Sequence, residues 1–379
     1  LRFLTTIIAF LIGSYGCGKG QSPRRSPEKL PLTSSGSALL YVGTDAKFES
    51  SSVFLLPVDG TVANEILTGQ SGDGFVQDLG GEIYLFNRQP GNQNFRRIDI
   101  LSGTKAKFGR QLALRSKRPG DPHHALKVGD NTALVADYNA GQILVTDLAS
   151  GAQLENLSEG WDLPSGAPLR PESFFEAGSI YVLHQGIGAN FEANKTQRIL
   201  VLERDGDAFT ASRRSIATEG TNPLGFFSAG NSDPLILSLC FRSMPNCHAA
   251  LERFDSVTER VTMIMDLDKS GYSYNGMATT GESSEIVYAN VEKKVSEGSY
   301  RQFVVRINAT TKSIEEIHEF PAREIGGYWW TYFHAGSEQL YVGDRRDMQR
   351  GMFTVYKNTK KLRIIELDAI PYSGTKVTW

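Results

Sequence analysis

The chain has 379 residues, enough for one large domain or two ordinary ones. With 40% hydrophobic and 22% charged residues it reads as a folded globular chain and not as a disordered one. Its 40 basic side chains against 42 acidic ones leave no basic excess, which excludes a dedicated nucleic-acid surface.

The N-terminus reads "LRFLTTIIAFLIG": one basic residue, Arg2, then a short apolar run, then small residues. That is the layout of a signal peptide, too short to span a bilayer as a helix. Residues 1–16 are therefore expected to be a signal peptide. The box Ser14-Tyr15-Gly16-Cys17 resembles the end of a bacterial lipoprotein signal, where small residues precede the modified Cys. The resemblance implies a diacylglycerol thioether on Cys17 and acylation of the new amine. Two or three acyl chains hold a protein firmly to a bilayer where one is marginal, at about 0.8 kcal/mol per buried CH₂. Gly18 is not the Asp that resembles an inner-membrane retention signal, so an exported protein anchored at the outer membrane is expected. Residues 17–36, rich in Pro, Ser and Gly, read as a lipidated Cys followed by a flexible tether.

From residue 38 onward the chain repeats. A short apolar strand recurs as "LYVGT" at 40–44, "IYLFN" at 83–87, "LVADY" at 134–138, "IYVLH" at 180–184, "LILSL" at 235–239, "IVYAN" at 286–290 and "LYVGD" at 340–344. Each is followed by a hairpin with turn residues, as in "QILVTDLASGAQLENL" and "MFTVYKNTKKLRIIEL". Most are preceded by another strand ending in a small turn, as in "SFFEAG" and "YFHAG". Seven units of four strands predict an all-β fold over residues 37–379: a seven-bladed β-propeller of four-stranded antiparallel blades. Two stacked β-sandwiches are the rival, disfavoured by seven regular intervals. The markers Tyr41-Val42-Gly43-Thr44, Tyr84-Leu85-Phe86-Asn87 and Val287-Tyr288-Ala289-Asn290 resemble those of YVTN-repeat and lactonase-like propellers. That resemblance implies the fold and allows a hydrolase of sugar-acid lactones. No catalytic set of the family transfers residue by residue.

The ring must close. Unit 1 lacks an inner strand, which "LPLTSSG" at 30–36 or "GTKVTW" at 374–379 could supply. The last hairpin is complete at Asp368, so the C-terminal piece is spare and is expected to act as the clasp. In unit 5, Cys240 and Cys247 flank a short loop. With Cys17 lipidated they form an even pair, expected to close as a disulfide in an oxidising compartment.

Candidate site residues lie on the connections entering each inner strand: "RPGDPHHAL", "PLRPESFF", "GYSYNGMA" and "GGYWWTYFHAG". They bring Asp121, His123, Arg170, Glu172, Tyr274, Trp329, Trp330 and Tyr332 toward one face, where loops on a rigid scaffold carry binding function. Glu172 near His123 permits an acid–base pair, though a contact with Arg170 is the plainer expectation. His123 and His124, adjacent on a strand, are expected on opposite faces. A polar column of Asp78, Lys127, Glu176, Ser228, Thr279 and His334 marks the other ends of the inner strands. No His or Cys spacing resembles a zinc site, and "DLDKSGYSYNG" lacks the ligands of a calcium loop, so no metal and no cofactor are expected. The reading that follows is a lipid-anchored envelope module. It binds a protein, glycan or small ligand; a lactonase-like enzyme is the alternative.

Overall fold

The computed structural model describes residues 36–45, 47–70, 73–88, 93–114, 120–157, 161, 169–187, 198–206, 208–228, 232–242, 244–321 and 330–379. Cys17, the expected signal, the tether up to residue 35, and Trp329 lie outside them.

Seven antiparallel sheets follow one another along the chain. From the centre outward, blade 1 is Ile370–Thr378, Ser37–Thr44, Ser51–Pro57 and Asn64–Gln70. Blade 2 is Gly74–Leu79, Glu82–Asn87, Asn94–Ser102 and Lys105–Phe108, and the short Leu112–Ala113 adds to its third strand. Blade 3 is Pro122–Lys127, Thr132–Asp137, Gln142–Asp147 and Gln153–Leu157; blade 4 is Pro171–Ala177, Ser179–His184, Arg198–Asp205 and Ala208–Ala217. Blade 5 is Pro223–Phe227, Leu235–Ser238, Ala250–Asp255 and Arg260–Asp266. Blade 6 is Tyr272–Thr280, Ile286–Ser296, Ser299–Asn308 and Ser313–Glu319. Blade 7 is Trp330–His334, Gln339–Arg345, Gly351–Lys357 and Lys360–Leu367. The inner strands touch one another in a closed ring around a central channel. This is the expected seven-bladed propeller and not a pair of sandwiches.

The seven markers are the second strands of the blades. Their composition has a physical cause: each lies mid-blade and is covered on both faces by neighbouring blades. Ser37–Thr44 is buried at every position after the first, whereas the outer strand Ala208–Ala217 alternates with exposed residues. Period-2 alternation sends successive side chains into different seams. Leu40 and Val42 pack with Leu85 and Ile98 of blade 2, while Leu39 and Tyr41 pack with Tyr341 and Phe353 of blade 7. Among the described residues the core is divided into seven apolar clusters, one for each seam between adjacent blades.

The C-terminal strand closes the ring. Ile370–Thr378 pairs with Ser37–Thr44 from Thr44↔Ile370 to Ser37↔Thr378, and the Trp379 and Gly36 backbones exchange two further hydrogen bonds at 3.2 Å. Gly374 is required in this clasp. A Cβ there would sit 2.6 Å from the Leu40 carbonyl oxygen and 2.6 Å from the Trp330 ring. Cys240 and Cys247 are joined as a disulfide.

Candidate functional site

The inner strands enter the ring at one mouth, and there their pairing is repeatedly broken. In blade 1, Pro371 and Ser373 pair with Gly43 and Val42, leaving Tyr372 unpaired between them. In blade 3, Pro122 and His124 pair with Asp137 and Ala136, leaving His123 out. In blade 4, Pro171 and Ser173 pair with His184 and Leu183, leaving Glu172 out. Blade 5 skips Leu224 and Gly225, and blade 6 skips residues 275–277. Such bulges re-aim side chains. Gly225 (φ 155°) and Gly276 (φ 136°) supply backbone conformations that a Cβ would disfavour.

The skipped residues converge. Tyr372, His123, Glu172, Leu224, Gly225, Gly276 and Met277 all line one cavity of about 550 Å³. His124 lines it too, so the bulge overturns the expectation that neighbouring histidines diverge. One wall is charged. Arg88, at the end of the second strand of blade 2, donates through Nε to Asp121 Oδ1 at 2.6 Å. His123 donates through Nδ1 to Glu172 Oε2 at 2.8 Å, and its Nε2 lies 3.2 Å from Asp121 Oδ2 and 3.0 Å from an Arg88 nitrogen. Tyr372 accepts from Arg88 at 3.3 Å, and Tyr138 stacks on the His123 ring at 4.4 Å with the planes 3° apart. The opposite wall is aromatic and apolar: Phe226, Phe227, Phe241, Tyr274 and Met277.

The network sets the charge states. Burial opposes a charged His123, but the Glu172 charge and hydrogen bonds to Asp121 and Glu172 outweigh it and push the pKa up to about 9. Burial likewise opposes a charged Asp121, but hydrogen bonds and positive charge from His123 and Arg88 hold its carboxyl below the usual range. His124 has no such partners, and burial pulls it down to about 4. At neutral pH the wall therefore sets a charged Arg88 and a charged His123 against the Asp121 carboxylate, with His124 beside them uncharged.

Of the residues expected at this face, Asp121, His123, Glu172 and Tyr274 line the cavity. Arg170 is not among the lining residues; its guanidinium lies 5.0 Å from the ring centre of Tyr138, which is one of them. It donates to the Tyr138 carbonyl and the Asn139 side chain, while Glu172 takes His123. Trp330 is not on the mouth: it is 5% exposed, inside the seam between blades 7 and 1, against Phe353. Tyr332 stacks on Trp330 and accepts a hydrogen bond from the clasp amide of Lys376 at 2.9 Å. The polar column is taken up locally: Asp78 accepts from the turn amide of Gly81, Lys127 pairs with Glu82, and His334 is buried against Ser37 and Ser337. Arg88 and Tyr372 are site residues the sequence reading missed. A usable signal exists, since Pro122, Pro171, Pro223 and Pro371 each directly precede a skipped residue. Proline removes the donor at a ladder position, which favours a bulge or strand start.

No family model matches the chain, and no curated protein sequence matches it. Solved structures do match in fold. A protein named as a candidate 6-phosphogluconolactonase from Bacteroides fragilis superposes with a TM-score of 0.61 at 12% identity, covering 91% of this chain and 98% of that one. Its counterpart from Bacteroides uniformis gives 0.58 at 11% identity, covering 90% and 99%. An oligogalacturonate lyase from Vibrio parahaemolyticus gives 0.50 at 10%, covering 80% and 87%. At these identities the likeness concerns the propeller fold alone.

Proposed function

We propose that this propeller is an exported, lipid-anchored envelope protein that binds a small organic ligand in the mouth of its channel. The observation that carries this reading is the cavity of about 550 Å³ formed by the skipped residues of successive inner strands. Its volume falls in the range of small-molecule sites, and a few convergent polar groups against an aromatic wall are their usual lining. A concave pocket of this size favours a small ligand over a protein or glycan partner, which needs a broader face. The ligand has a polar end that hydrogen-bonds the Arg88–Asp121–His123–Glu172 wall and an apolar remainder that lies on Phe226, Phe241 and Met277. The Cys17 anchor places this site at a membrane surface. Fatty-acid labelling equal in wild type and Cys17→Ser would remove the anchor from the reading.

The ligand is tested by thermal shift with a panel of sugar acids, their lactones and aromatic acids. A binder should lose its shift in Glu172→Gln and keep it in a variant of the exposed Val257. A panel with no binder, or with binders indifferent to Glu172, overturns the reading. The convergence of acid, base and cation also supports the lactonase-like alternative. Both His123 nitrogens are engaged, so a substrate must displace Arg88 or Asp121 before the imidazole can handle its proton. The names of the Bacteroides propellers supply the substrate to try: 6-phosphogluconolactone, with hydrolysis above the spontaneous rate as the readout.

A further inference from the structure

Outside the mouth, one side-chain cluster on blade 5 has the geometry of a metal site. His248 follows the disulfide, Asp266 ends the outer strand, and Asp268 lies in the connection to blade 6. The His248 Nε2 atom is 3.6 Å from Asp266 Oδ1 and 3.6 Å from Asp268 Oδ2. All three ligand atoms lie within 4.8 Å of one another.

Two features separate this cluster from an ordinary surface ion pair. The first is the imidazole's orientation. Its Nδ1 faces the Glu219 carbonyl oxygen at 3.3 Å, and a carbonyl only accepts, so Nδ1 carries a proton. Nε2 is then the nitrogen left to face the two carboxylate oxygens, and with them it forms a one-nitrogen, two-oxygen donor set open to a cation. A carbonyl on the far nitrogen is the usual support of a metal-bound histidine. The second is the spacing. A charge-assisted N–H···O bond closes to about 2.7–2.9 Å, and 3.6 Å is too long for one. Ligand bonds of about 2.0–2.2 Å in a tetrahedron place neighbouring ligand atoms about 3.4 Å apart. The two separations from His248 Nε2, 3.6 Å each, are close to the edge of such a tetrahedron.

The groups are also held in place. The His248 backbone exchanges hydrogen bonds with Thr221, its amide donating to Thr221 Oγ1 at 3.2 Å and its carbonyl accepting from the Thr221 amide at 2.7 Å. Asp268 Oδ1 accepts from the Ala249 amide at 2.7 Å, leaving Oδ2 facing the histidine. Asp266 Oδ1 accepts from the Asp268 amide at 3.0 Å. We propose that His248, Asp266 and Asp268 bind a divalent transition-metal ion, Zn²⁺ by donor set and spacing, with water as the fourth ligand. No metal is expected from the sequence because the segment holding Asp266 and Asp268 lacks further ligands of its own; His248 comes from the earlier connection that carries the disulfide. The ion ties the disulfide-bearing connection of blade 5 to the segment leading into blade 6.

The test is calorimetric titration of the untagged, oxidised full chain with ZnCl₂, and with CaCl₂ in parallel. One Zn²⁺ per chain is expected. Its affinity should fall roughly tenfold or more in His248→Gln and in Asp268→Asn. Asn keeps the oxygen that accepts from Ala249, so the second variant preserves the local fold. Co²⁺ on the wild type should give the strong visible bands of tetrahedral coordination, a readout independent of either variant. Absence of Zn²⁺ binding, binding unchanged in both variants, or Ca²⁺ binding in its place overturns the proposal.

Discussion

His123 and Glu172 lie 49 positions apart on the inner strands of neighbouring blades, yet His123 Nδ1 meets Glu172 Oε2 at 2.8 Å. Each is the residue its own strand skips in pairing, so two bulges build one contact across a blade seam. The contact has a pH signature. The His123 pKa is raised to about 9 in the folded chain, against about 6.5 for an unperturbed histidine. A raised folded pKa contributes stability that is fully present below the unfolded value and is lost as pH rises through the folded one. The melting temperature of wild type should therefore exceed that of His123→Gln most at pH 6, and the gap should narrow steadily to pH 9.5. A gap constant over that range would mean that folding does not raise the His123 pKa above its unfolded value.

The clasp makes a second prediction. Ile370–Thr378 supplies the inner strand of blade 1 and buries Val377 in the seam between blades 1 and 2. Deleting residues 373–379 exposes that seam and the inner edge of Ser37–Thr44, and should lower the melting temperature by on the order of 10 °C. Gly374→Val should move in the same direction, because its side chain meets the Leu40 carbonyl and the Trp330 ring. Calorimetry of the two variants beside wild type checks both.

Trp330 separates packing from binding. It contacts Phe353 and Tyr332 and closes over the clasp glycine, so its truncation leaves a cavity in the seam. Trp330→Ala should cost about 3–5 kcal/mol in urea unfolding. The mouth is on other residues, so any ligand affinity should survive wherever the variant remains folded. Loss of binding from a fully folded Trp330→Ala protein would return this residue to the site.

These cases show why the fold was legible in the sequence and the site only partly so. A second strand buried on both faces carries an apolar run that can be read without knowing its neighbours, as in "IYVLH" and "LYVGD". Trp330 was misread because an aromatic residue on a connection looks alike whether it faces a mouth or a seam. The register of the inner strand decides, and register is a relation between two strands. Blade 7 pairs without a break from Trp330 to His334, so nothing there is re-aimed toward the mouth. Arg88 was missed for a related reason. It follows a marker strand and becomes a site residue through Asp121 and His123 of the next blade and Tyr372 of the clasp.

The disulfide bears on the mouth as well as on stability. Cys240 and Cys247 bracket Phe241, which lines the cavity and meets the Tyr274 ring edge-on at 4.7 Å. The Cys240 carbonyl also accepts from the Tyr274 amide at 2.7 Å, so the loop is tied to the inner strand of blade 6. Closing so short a loop restricts the unfolded chain by about 2.5 kcal/mol on the entropy model. Cys240→Ser/Cys247→Ser should therefore unfold at lower urea by about that free energy. It should also bind any mouth ligand more weakly, because Phe241 is freed while the charged wall of Arg88, Asp121, His123 and Glu172 stays intact. Chemical reduction of wild type should reproduce both effects without any substitution. If reduction lowers stability and leaves ligand affinity unchanged, Phe241 is held by its contact with Tyr274 and not by the disulfide.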